Sequence, residues 1–150
     1  MSRRASVKYI PKIIKVYTTK YVFEELLLLN SSFEKLLLEA IDEGLSSLGD
    51  SSKQSVYFHL EKTFNINKQN IPHKIEEFAD ALEKIFGVGA KVLEIVIMRQ
   101  LYEKVGGVVE YGQEDLVFTE YVAAMKQSFL KKKQRTGPIH GCVAESEKKE

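Results

Sequence analysis

The stretch that decides the fold is GAKVLEIVIMRQLYEKVGG, residues 89–107. Between its glycines it holds Val92, Leu93, Ile95, Val96, Ile97 and Met98 in close succession. On a helix of 3.6 residues per turn those side chains cover nearly the whole circumference. A helix apolar on all sides belongs in the middle of a bundle. Alternatively it buries one face in the core and offers another to a second chain. Gly106 and Gly107 end it, and Gly87-Val88-Gly89 separates it from what precedes.

Working outward, helical periods recur on both sides. Ile75, Phe78, Leu82 and Ile85 repeat at three, four and three, behind Pro72 and the first-turn acids Glu76 and Glu77, which suit the helix macrodipole. Val56, Leu60 and Phe64 form a stripe widened by Tyr57 and Phe58, after a capping run Asp50-Ser51-Ser52. Ile66 and Ile71 pin the polar turn between these two helices to the core. Further back, Phe33, Leu37, Ile41, Leu45 and Leu48 define a helix over 33–48 that Gly49 terminates. Asn30-Ser31-Ser32 reads as a turn, so Glu24-Glu25 and four leucines make a separate short helix over 22–29. Toward the C-terminus, Leu116, Tyr121 or Val122, Met125 and Phe129 predict a helix over 114–131.

The expectation is therefore an all-α, single-domain bundle of four to six helices over residues 21–131. A basic arm over 1–20 is expected extended or disordered, with a short strand near 13–17, because Val7, Tyr9, Ile13, Val16 and Tyr17 are β-favouring. A disordered tail is expected over 132–150. At 150 residues, 44% hydrophobic and 29% charged, the chain has ordinary globular composition. One cysteine, Cys142, excludes an intramolecular disulfide. No run approaches the ~20 apolar residues of a membrane span. A cytoplasmic protein is the expectation, with a transit peptide as the alternative reading of the acid-free N-terminus.

The net charge of +1 conceals an asymmetry. Residues 1–20 carry six cations and no acid. Residues 21–125 carry 9 bases against 18 acids, and residues 126–150 carry 7 bases against 3 acids. Arg3, Arg4, Lys8, Lys12 and Lys15 interleave with Tyr9 and Tyr17. Lys126, Lys131, Lys132, Lys133 and Arg135 close the last helix. Cations neutralise phosphates and tyrosines stack on unpaired bases, which makes these ends a candidate nucleic-acid surface. The plainer readings are solubility, a match of cations to a helix C-terminus, or pairing of the arm with the acidic body of its own or a neighbouring chain.

Other chemistry-bearing patterns read blandly. His59 and Glu61 stand two apart, so on a helix they point about 200° away from each other. His73 sits at a helix entry and His140 in the tail. Three scattered histidines and one cysteine match no zinc spacing, and His140-Gly141-Cys142 is at most a weak thiol–imidazole pair. Gly87-Val88-Gly89 lacks the third glycine and the Lys-Ser/Thr ending of a phosphate loop. No nucleophile–base pair stands out. No catalytic residue, metal or cofactor is assigned, and a non-enzyme is expected.

One resemblance is specific enough to name. The residues LGDSSKQSVYFHLEKTFNI, IPHKIEEFADALEKIFGVGAKVLE and LYEKVGG, within about 45–107, match together at several positions. Among them are Leu48-Gly49, Tyr57, His59-Leu60-Glu61, Phe64, Ile71-Pro72, Phe78, Ile85-Phe86-Gly87 and Gly89-Ala90. This segment resembles the archaeal Nitrosopumilus-type output domain, a helical module attached to signal-transduction proteins. The resemblance implies an interaction module without catalytic residues. Association with a protein partner or a second copy is the expected mode, with Tyr57, His59, Phe86 and Tyr102 as candidate contact residues. A small nucleic-acid-binding transcriptional regulator is the alternative, and a small-ligand sensor a third.

Overall fold

The computed structural model describes residues 12–107 and 117–136, with side chains described from residue 19 of the first segment. Five α-helices and one 3-10 segment follow in order. They are α1 (Lys12–Ser46), α2 (Asp50–Phe64), the 3-10 segment (Lys68–His73), α3 (Ile75–Phe86), α4 (Gly89–Val105) and α5 (Phe118–Arg135). They form one all-α bundle, with no strand among the described residues.

α4 is the hub. It packs against α1, α3 and α5, most extensively against α1. Its core face carries Ala90, Leu93, Ile97, Leu101 and Val105. α1 answers with Phe33, Leu37, Ala40, Ile41 and Leu45, all fully buried. The two helices run antiparallel: Gly44 lies against Ile97, while Lys104, two turns on, reaches back to Glu43 at 2.7 Å and Glu39 at 3.8 Å. A Cβ at residue 44 would stand 2.5 Å from Ile97 Cγ1, so the helix axes approach as closely as glycine permits. The apolar circumference of α4 is not buried on all sides. One face is core, while Val92 and Ile95 are 66% and 54% exposed on the other.

The largest departure from expectation is α1. It runs unbroken through 35 residues, where the sequence predicts an arm, a short helix, a turn and a second helix. Residues 12–20 are helical, so neither the extended arm nor the strand near 13–17 forms there; residues 1–11 lie outside the described residues. Extending an existing helix adds a hydrogen bond per residue without a new nucleus, and that outweighs the weak β preference of Ile, Val, Tyr and Thr. The turn at Asn30-Ser31-Ser32 is overridden in the same way. Ser32 Oγ donates back to the Leu28 carbonyl at 2.8 Å, which satisfies the hydroxyl inside the helix.

Smaller departures follow from local geometry. α1 stops at Ser46, two residues short of the expected end, and leaves Leu48 exposed. Gly49, with φ +92°, holds the turn, and the expected side-chain cap at Asp50-Ser51-Ser52 is absent because Gly49 itself occupies the N-cap. Phe58 points to solvent rather than widening the α2 core stripe. The helical register of α5 continues through residues 132–135, beyond the expected start of the tail; residues 137–150 lie outside the described residues. Ile66 and Ile71 are buried, and so are Tyr121, Val122, Met125 and Phe129. Leu116 lies outside the described residues.

One polar cluster ties three elements together. Asp42 of α1 accepts from Lys53 Nζ of α2 at 3.0 Å, from Tyr57 Oη of α2 at 3.1 Å, and from Lys68 Nζ of the 3-10 segment. Lys53 also donates to Ser46 Oγ at 2.9 Å, and Lys68 Nζ lies 4.8 Å from the Tyr57 ring centroid. These donors, Lys68 first, hold the Asp42 carboxyl down at about 2 against an ordinary 3.8, despite opposing desolvation. Burial, then the Asp42 charge and its hydrogen bond, push the Tyr57 phenol in the opposite direction.

Because the folded carboxyl titrates below its unfolded value, its contribution is complete above about pH 4 and disappears as pH falls toward 2. Asp42→Asn is expected to lose about 1 kcal/mol at neutral pH, a figure discounted for the partial exposure of the site. In urea unfolding, the gap between the two proteins should close between pH 4 and pH 2. A gap that persists unchanged to pH 2 would mean that the cluster acts by packing rather than charge.

Candidate association surface

The N-terminal half of α1 leaves the bundle. Beyond Phe33 the helix extends for residues 12–32, about 30 Å at 1.5 Å per residue. From Tyr21 to Leu28 it is rich in exposed apolar side chains. Tyr21 is 67% exposed, Phe23 60% and Leu28 69%, with Val22, Leu26 and Leu27 also exposed. Together they present on the order of 600 Å² of apolar surface, at or above the largest patch a typical monomer leaves in water. Among the described side chains of this length, Lys20 pairs with Glu24 at 4.0 Å. Among the described residues no helix is long and apolar enough to cross a membrane.

The sequence-derived contact residues divide between three places. Tyr57 belongs to the Asp42 cluster, so its hydroxyl holds the bundle together and is not a free contact group. His59 and Phe86 come together. With Ser51, Ser52, Ser55, Val56 and Ile85 they line an open groove of about 410 Å³ between α2 and α3. There His59 Nδ1 is 3.4 Å from Thr63 Oγ1, and its ring meets Phe64 edge-on at 6.0 Å. Tyr102 sits on α4, where its hydroxyl donates to the Gly107 carbonyl at 3.3 Å. Tyr102 continues the exposed side of α4 that begins with Val92 and Ile95.

The cationic residues are placed in part. Lys131, Lys132, Lys133 and Arg135 are exposed on the last turns of α5. Phe129 packs on Phe33 at 5.8 Å between ring centroids, so this cationic end starts where α1 leaves the bundle. Lys12 and Lys15 lie on the first turns of α1, some 30 Å further out along the helix. Arg3, Arg4 and Lys8 lie outside the described residues. Among the described residues no three of His, Cys, Asp and Glu converge as metal ligands would.

Two features escaped the sequence reading. The exposed apolar side of α1 is one, because reading 22–29 as a short helix does not say which of its faces the bundle leaves uncovered. The other is Glu94, 3% exposed in the middle of α4 and the one buried charged residue among those described. Its Oε2 accepts from Lys91 Nζ at 3.1 Å, and Lys91 also meets Glu83 Oε1 of α3 at 3.0 Å. Its Oε1 has no hydrogen-bond partner among the described residues. The signal was present in the sequence: one acid inside Val92-Leu93-Glu94-Ile95-Val96.

A buried carboxylate with one unmatched oxygen is a poor contributor to stability, and an apolar side chain of like volume removes the desolvation cost. Glu94→Met is expected to raise stability by about 1 kcal/mol in thermal or urea unfolding. A loss of more than about 1 kcal/mol would show that the second oxygen is engaged in the folded protein.

Compared with protein-family models, with curated proteins and with the solved structures, the chain matches none.

Proposed function

We propose that this protein is a non-catalytic interaction module that works by protein association, with the projecting half of α1 as its main docking element. The observation that carries this reading is the exposed run from Tyr21 to Leu28. Its aromatic and leucine side chains stand clear of the bundle on a helix, the presentation that a groove on a partner accepts at i, i+3, i+4 and i+7 positions. Exposed apolar surface of this extent is costly in water and is kept where something covers it. The groove holding His59 and Phe86, and the Val92, Ile95 and Tyr102 side of α4, are secondary surfaces of the same kind. The signalling and regulatory part of the proposal rests on the resemblance of residues 45–107 to the archaeal output domain. A cytoplasmic location goes with it.

A second reading is favoured by one placement. The cationic end of α5 and the cationic outer turns of α1 lie at the same end of the molecule, with exposed Tyr21 and Phe23 between them. Cations flanking aromatic rings are the composition of a single-strand binding track. On this reading the chain is a small nucleic-acid-binding regulator.

Two measurements separate the readings. A photo-crosslinking side chain placed at Tyr21 should give protein adducts in the cells that make this protein, whereas the same group at the exposed Glu61 of α2 should not. Absence of adducts at Tyr21 would defeat the association reading. In parallel, labelled duplex DNA and single-stranded RNA are titrated with the full chain at low and moderate salt. If binding appears, falls steeply with salt and is lost on changing Lys131, Lys132 and Lys133 to Gln, the nucleic-acid reading takes precedence.

A further inference from the structure

We draw no further inference here: the strongest candidate, the exposed apolar patch of Val22, Phe23 and Leu26 on the projecting half of α1, belongs to the association surface already described, and nothing in the structure shows what covers it.

Discussion

The contact on which the rest of the structure depends is the approach of α1 to α4 at Gly44 and Ile97. With less room than a methyl group needs between residue 44 and the Ile97 side chain, the two backbones lie close enough for their core faces to interlock. Dispersion and burial both fall steeply with separation, so this one close point sets how well Leu37, Ile41 and Leu45 meet Ile97, Leu101 and Val105. The Lys104 contacts with Glu39 and Glu43 lie at the margin of the same interface and fix its antiparallel sense more than its strength. α3 and α5 then fill the remaining sides of α4, with Phe78 against Phe118 and Phe33 against Phe129.

The sequence was most readable where one face of a helix is buried by its own chain. Phe78 and Leu82 in α3, Val56 and Leu60 in α2, and Tyr121 through Phe129 in α5 recur at helical spacing because burial imposes that spacing. It was least readable in α1, for two physical reasons. Local propensity at Ile13, Val16 and Tyr17 favours strands, and Asn30-Ser31-Ser32 favours a turn. Neither tendency is strong enough to interrupt a helix already anchored by its buried half. Asp42 illustrates a different limit. In sequence it is one of an acidic pair, Asp42-Glu43, which reads as a solvated face. Its role as a shared acceptor depends on Lys53, Tyr57 and Lys68 arriving from other elements, and no local pattern encodes that meeting.

The candidate surface was legible only in part for a related reason. Aromatic residues such as Tyr57, Phe86 and Tyr102 serve cores and contacts equally well, so residue type alone does not sort them. Tyr57 turned out to be structural, while His59 and Phe86 share a groove. The exposed leucines of α1 have the composition of a core, and only the placement of the bundle's other helices reveals that nothing from the described chain covers them. Glu94 shows the opposite case, a charged residue whose type says surface and whose position says interior.

The continuity of α1 has a mechanical consequence. A helix of 35 residues with no proline inside it is a rod about 50 Å long, hydrogen-bonded from end to end. Its outer turns and its inner turns cannot rotate independently. Torque applied to the tip by whatever grips it is delivered to the other end of the rod. There the clearance between residue 44 and Ile97 leaves no slack to absorb it, and the load passes into α4. α4 in turn carries the exposed Val92, Ile95 and Tyr102 on its far side, so the two outward surfaces of the molecule are the ends of one rigid linkage.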